Sequence, residues 1–235
     1  MKILGIDSSG LVASVAVVED DNLLGEFTMN YKKTHSQTLL PMLDELAKMI
    51  ELDMETIDAI AVAGGPGSFT GLRIGSATAK GLGLALKKPI VNVPTVDGLA
   101  YNLVGNQNVV CPLMDARRNQ TYTGLYEFVN GGMNILSEQC AVGIDEITMK
   151  INELGRSVTF LGDGVPVFEK YLKENLTVPY EFAPAHMNKQ RAGAVAALGM
   201  KMFAAGRFET AEEHRPEYLR LSQAERERME KMQQE

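Results

Sequence analysis

A chain of 235 residues with 45% hydrophobic and 23% charged content can bury a proper core as one large domain or two small ones. Its net charge of −7 argues against an unaided grip on nucleic acid, so any work on RNA would need a basic partner. No apolar run reaches the roughly 18 residues of a membrane span, which leaves the class of globular α/β or α+β proteins.

In chain order, residues 2–6 read as a strand ending at Asp7-Ser8-Ser9-Gly10, with further strands at 11–18 and 23–29. The opening MKILGID reaches Asp7 too soon for the apolar region of a signal peptide. Residues 36–50 form an amphipathic helix with Leu39, Leu43, Leu46 and Ile50 on one face, and Pro41 is expected near its first turn. A strand at 57–63 runs into the glycine-rich stretch 62–75, which opens a helix that continues to residue 86. A strand at 90–93 and a helix at 95–103 complete the order βββαβαβα. The second half repeats it: strands at 108–114, 121–128 and 133–141, a helix at 145–154, a strand at 158–161, the turn Gly162-Asp163-Gly164 and a helix at 166–172. An alanine-rich helix at 190–205 stops at Gly206. Two copies of one layer pattern predict a two-lobed α/β protein with a cleft between the lobes. The expected units are 1–104, 105–208, with helix 190–205 able to pack back on the first lobe, and a charged tail 209–235 whose last part, 222–235, is a frayed end. Cys111 and Cys140 lack CxxC spacing and read as reduced thiols of a cytoplasmic protein.

The stretch Gly64-Gly65-Pro66-Gly67-Ser68-Phe69-Thr70-Gly71 fills a strand-to-helix turn, where missing side chains admit positive φ and let a backbone or a ligand come close. Phosphate is one candidate, since a helix N-terminus offers free N–H groups. Neither Gly65 nor Gly67 is followed by the Gly-Lys-Ser/Thr of a P-loop, and the dinucleotide fingerprint fails as well. The plainer alternative is a tight turn with Ser68 or Thr70 as N-cap. Gly71, Gly75, Ala79 and Gly83 then make one side-chain-poor ridge. Each interior glycine costs about 1 kcal/mol of helix propensity, which close approach of a neighbouring element would offset. The spacing leaves open whether that neighbour belongs to this chain or to a partner.

With an acidic residue ending the first strand of each half, Asp7 and Asp115, the duplicated order resembles the actin, sugar-kinase and Hsp70 ATPase superfamily. More narrowly, MKILGIDSS, HSQTLLPML, GGPGSFTGLRIG and RPEYLR look like the TsaB (YeaZ) family, over nearly the whole chain. That resemblance implies a non-catalytic subunit of the bacterial machinery that makes N6-threonylcarbamoyladenosine in tRNA. The family pairs with its catalytic paralogue TsaD, is joined by the ATPase TsaE, and self-associates as a homodimer when alone. It meets tRNA only through the complex and no membrane at all. The implied partner interface falls on Ser36, Gln37, Leu39, Leu40 and Leu43 of the first helix and Gly71, Leu72, Arg73, Gly75, Ala79 and Gly83 of the second. No cofactor of its own is implied, any ATP or ADP at the partner interface being contributed mainly by the partner.

The residues present agree with lost chemistry. TsaD holds its metal with two histidines four apart on a helix, whereas His35 has Leu39 four residues on, so it reads as a helix-start or surface residue. The superfamily's phosphate loops survive in part. Asp7, Ser8 and Ser9 keep the first, but Asp115-Ala116-Arg117-Arg118 puts bulky cations where glycines belong, and Gly162, Asp163 and Gly164 resemble the adenosine-side turn. Together they read as a vestigial nucleotide site. The alternatives are a stand-alone ATP-dependent phosphotransferase and, less favoured, a peptidase, for which no Gly-x-Ser-x-Gly elbow exists.

Overall fold

The strand β1 (Lys2–Asp7) is buried on both faces from Ile3 onward, which is why its sequence runs apolar instead of alternating. It pairs antiparallel with β2 (Ala13–Glu19), Lys2 opposite Glu19 through Asp7 opposite Ser14, and parallel with β4 (Ala59–Gly65). Adding β3 (Asn22–Met29) and β5 (Ile90–Pro94) at the edges gives a sheet in the order β3-β2-β1-β4-β5. Helices α1 (His35–Met49) and α2 (Phe69–Leu86) cover one face. The short α3 (Thr95–Ala100) leads to the second half. The structure is a computed structural model that describes residues 1–31 and 34–219; the frayed end expected at 222–235 lies outside the described residues.

The second half contains β6 (Val109–Asp115), β7 (Gln120–Val129), β8 (Gly132–Gly143), α4 (Ile144–Leu154), β9 (Val158–Leu161), α5 (Val165–Asn175), β10 (Tyr180–Phe182) and α6 (Ala192–Ala204). Its sheet runs β8-β7-β6-β9-β10, strand for strand the order of the first. The expected α/β duplication is therefore present. Sequence reading missed β10 because three residues are too few to show a period. Pro41 stands in the second turn of α1 on its exposed side, where the carbonyl left without an N–H partner faces water. No helix among the described residues is long and apolar enough to cross a membrane.

Helix α6 lies on the first sheet, not the second, with Val195, Ala196, Leu198 and Met202 packed on Ile3, Ala61, Val91 and Val93. Its N-terminus explains the attachment. Glu26 of β3 accepts from the backbone N–H of Gly193 at 2.8 Å and from Arg191 Nε at 2.9 Å, and it pairs with Arg191 Nη2 as well. Ser14 Oγ accepts from the N–H of Ala192 at 2.9 Å. A buried carboxylate and a hydroxyl from adjacent strands thus satisfy the orphan donors of a helix start. Gln190 and Arg191, expected inside the helix, stay outside it because Arg191 is extended (φ −139°) while its guanidinium reaches Glu26.

The segment after α6 also differs from expectation. Composition sets 209–235 apart as a charged tail, yet its described part belongs to the first lobe. Ile90 and Glu209 exchange backbone hydrogen bonds at 2.9 Å, Ala211 and His214 are buried, and Lys80 Nζ donates to the carbonyls of Glu212 and His214. Backbone bonds, the buried Ala211 and His214 and the Tyr218 ring attach this strap, residues 207–219, and a count of charges could not show it.

The two halves meet through α3. Val96, Leu99 and Ala100 pack on Val110, Met114 and Tyr126, and the fully buried Tyr126 hydroxyl donates to Asp97 Oδ1 at 2.7 Å. Burial pushes the Asp97 carboxyl up to about 6, against the opposing hydrogen bond from Tyr126.

Two predictions follow from this packing. Glu26→Ala strands Arg191 and the helix-start N–H of Gly193, and denaturant unfolding should show a loss of about 2 kcal/mol; a loss within error would contradict the capping role. For Asp97 the folded form takes up its proton before the unfolded chain does. Its contribution to stability therefore grows as pH falls from 7 through about 6 and levels off near 4. Asp97→Asn keeps an acceptor for Tyr126 without that titration. Between pH 8 and pH 5 the native protein should gain on the order of 1–2 kcal/mol relative to the variant, and parallel profiles would refute the assignment.

Candidate functional site

The glycine turn is held from both sides by this chain's own backbone. Ser68 is the N-cap of α2, its Oγ accepting from the N–H of Gly71 at 3.3 Å, and its own N–H donates to the Ser9 carbonyl at 2.7 Å. A Cβ at Gly67 would stand 2.3 Å from the Ser9 carbonyl oxygen, one at Gly71 2.0 Å from that of Ser8, and one at Gly75 2.5 Å from Ser8 Oγ. Ser8 Oγ donates to the Gly71 carbonyl at 2.8 Å. The missing side chains make room for the loop after β1.

On the opposite side lies the returning C-terminal segment. Gly65 has φ 127°, and a Cβ there would meet the Glu217 carbonyl oxygen at 2.0 Å; the N–H of Glu217 donates to the Gly64 carbonyl at 2.6 Å. The Tyr218 ring sits 4.8 Å from that of Phe69, over which the Arg73 guanidinium stacks at 3.9 Å. The stretches GGPGSFTGLR and RPEY, read separately in the sequence, form one unit.

This corrects the reading of the ridge as a docking surface. Gly71, Gly75, Ala79 and Gly83 face inward, onto Ser8, Val62, the core and Ala211, and Leu72, Leu39 and Leu43 are core residues of this chain as well. Of the interface residues expected, Ser36, Gln37, Leu40 and Arg73 are the exposed ones. They continue into a second line of small residues on the outer side of α2, Ala77, Gly81 and Ala85, with exposed Leu84 beside them. A Cβ at Gly81 would meet nothing within 4 Å. A four-residue repeat is compatible with either face, and only the position of the sheet decides between them.

The residues expected to form a vestigial nucleotide site fall into two groups. Asp7 is buried, accepts from Ser9 N–H at 2.8 Å and Ser9 Oγ at 2.7 Å, and is pushed up to about 6 by desolvation that outweighs those bonds. His35 opens α1, where its Nε2 donates to the Gly10 carbonyl at 2.9 Å. Across the cleft, Asp115 accepts from the N–H of Arg117 at 2.8 Å and from Arg117 Nη1 at 3.1 Å. Arg117, Arg118 and Asn119 all take left-handed φ (64°, 54° and 59°), which folds the place of a phosphate loop into a tight turn. The N–H of Gly162 donates to the Asn188 carbonyl and that of Gly164 to the Leu113 carbonyl. Burial raises the Asp163 carboxyl, with Lys189 opposing. The segment 188–190 links the two groups, because the Gln190 amide lies against Gly10 while Asn188 holds Gly162. No sequence signal marks Gln190. Glu217 and Tyr218 carried one in the RPEY motif, without a hint of what they touch. Among the described residues, no group of three or more histidine, cysteine, aspartate or glutamate side chains is placed to hold a metal ion.

The family model described as TsaD, tRNA N6-adenosine threonylcarbamoyltransferase, matches residues 22–228. The tRNA threonylcarbamoyladenosine biosynthesis protein TsaB of Bacillus subtilis (strain 168) is 33% identical over 228 residues, covering 96% of each chain. TsaB of Escherichia coli (strain K12) is 29% identical, covering 94% of this chain and 95% of its own length. Among solved structures, YeaZ from Pseudomonas aeruginosa superposes with a TM-score of 0.80 at 25% identity over 93% of this chain and 99% of that one. A polyphosphate/ATP-glucomannokinase from Arthrobacter sp. strain KM, at 13% identity and TM-score 0.51 over 87% of this chain and 99% of its own, shares the fold alone.

The inward ridge makes a direct prediction. Gly75→Leu must displace Ser8 and the loop after β1, so the isolated protein should lose at least about 2 kcal/mol of stability. A variant that melts like the native chain would return the ridge to the surface.

Proposed function

The chain belongs to the TsaB family of tRNA threonylcarbamoyladenosine biosynthesis proteins, and we propose that it works there as the non-catalytic partner that binds and activates TsaD. The observation that carries this reading is the state of the old nucleotide loops. Asp7 is spent on Ser9, Asp115 on Arg117, and the carbonyls of Ser8 and Ser9 on the glycine turn. A chain whose Asp7 and Asp115 carboxylates are both engaged by their own loops is read as acting through its surface. TsaE joins the pair, tRNA is met through the complex, and the isolated chain self-associates by the same face. Any ATP or ADP at the subunit boundary is held mainly by TsaD, in the cytoplasm where the tRNA is.

The docking face we assign is the exposed side of α1 and α2: Ser36, Gln37 and Leu40 with Arg73, Ala77, Gly81 and Leu84. Small residues at 77, 81 and 85 let a partner helix approach closely, and Leu40 and Leu84 supply apolar area. The experiment is reconstitution. The purified chain alone should form no modified adenosine, and adding TsaD, TsaE, tRNA and threonylcarbamoyl-adenylate should restore synthesis. Gly81→Arg should abolish co-purification with TsaD and reduce modification at least tenfold, with an unchanged melting temperature, since the site is open. Modification by the chain alone, or full pairing by Gly81→Arg, would overturn the assignment.

A further inference from the structure

Between α2 and the returning segment lies a second feature, which adjoins the docking face and shares Arg73 and Ala77 with it. A cavity of 350 Å³ is lined by Arg73, Lys80 and Arg215, the hydroxyl-bearing Ser76 and Tyr218, and His214, with no carboxylate in its wall. Among the described residues none of the three cations belongs to an ion pair. Their heads are nevertheless positioned. Lys80 Nζ donates to the carbonyls of Glu212 (3.1 Å) and His214 (3.0 Å), Arg215 Nη1 donates to the same two at 2.6 and 2.7 Å, and Arg73 is stacked on Phe69. Carbonyls fix these groups without neutralising them. In a chain of net charge −7, three cations gathered round one cavity and left unneutralised call for an anion.

His214 lines the cavity without itself selecting an anion, because with Nδ1 donating to Glu209 the neutral ring offers Nε2 only as an acceptor. It is fully buried, its Nδ1 donates to the Glu209 carboxylate at 2.7 Å, and its Nε2 has no partner. A buried ring nitrogen without a partner is costly unless something meets it. Three cationic heads and two hydroxyls also exceed what the two oxygens of a planar carboxylate can accept, whereas a tetrahedral phosphoryl group offers more acceptors in more directions.

We propose that this cavity binds a phosphate group, supplied either by an RNA backbone or by a free nucleotide. The proposal rests on the functional reading above only for the choice of tRNA as a probe. The test titrates the full-length chain by calorimetry with inorganic phosphate, with ATP and with unmodified tRNA. It is repeated for the Lys80→Gln/Arg215→Gln double variant, in which the side chains stay polar but both charges are gone. Native protein should bind at least one probe saturably, less tightly as salt rises. The double variant should bind it at least tenfold more weakly, with melting temperature and TsaD co-purification unchanged. Binding of tRNA without ATP or phosphate assigns the site to an RNA backbone, and displacement of tRNA by ATP assigns it to a nucleotide. If the double variant melts early, Arg73→Gln, which leaves the strap carbonyls in place, must still weaken binding severalfold. Equal affinity in the variants, or no binding of any probe, overturns the proposal. Loss of TsaD pairing by the native chain would instead strike at the functional reading, so the two failures are distinguishable.

Discussion

The first lobe depends on the seating of two backbone carbonyls, those of Ser8 and Ser9, in space left by glycines of the turn after β4. Hydrogen bonds from Ser68 N–H and Ser8 Oγ close the contact, and Asp7 holds the loop's shape through Ser9. Side chains at 67, 71 or 75 would push this loop away from α2. Once it is seated, the orientation of α2 follows, and with it which line of small residues is buried and which stays open. The reach of the C-terminal segment onto Gly64 and Gly65 depends on the same turn.

A loop that binds phosphate keeps its backbone N–H groups free for it. Here the loop after β1 is packed, its counterpart after β6 is a left-handed turn stapled to Asp115, and residues 188–190 connect the two. The duplicated sheets persist because their apolar cores do not depend on a ligand: α1 and α2 cover one face of the first and α4 and α5 one face of the second, while α6 and α3 cross between the halves.

The architecture was legible because the strands of each half announce themselves in order, and a central strand buried on both faces reads as an unbroken apolar run. Glycine spacing told that something comes close to α2, and of the two N-cap candidates, Ser68 and Thr70, the structure uses Ser68. The identity of the neighbour was hidden, since Ser8 lies 63 residues from Gly71 in the chain. For the same reason, Glu26 as the cap of α6 and Gln190 against Gly10 could not be found, being long-range pairings of ordinary polar residues. The docking of the described part of the expected tail 209–235 was hidden because charge composition does not show long-range backbone bonds or the stacking of Tyr218 on Phe69.

Hydrogen exchange by mass spectrometry, on the full chain with and without TsaD, tests the central claim most directly. If the molecule acts through the outer sides of its first two helices, peptides covering 36–49 and 69–86 gain protection in the complex, and those covering 7–12 and 160–166 do not change. Protection confined to the latter pair, with both helices exchanging as in the free chain, would place the action in the cleft and contradict the account.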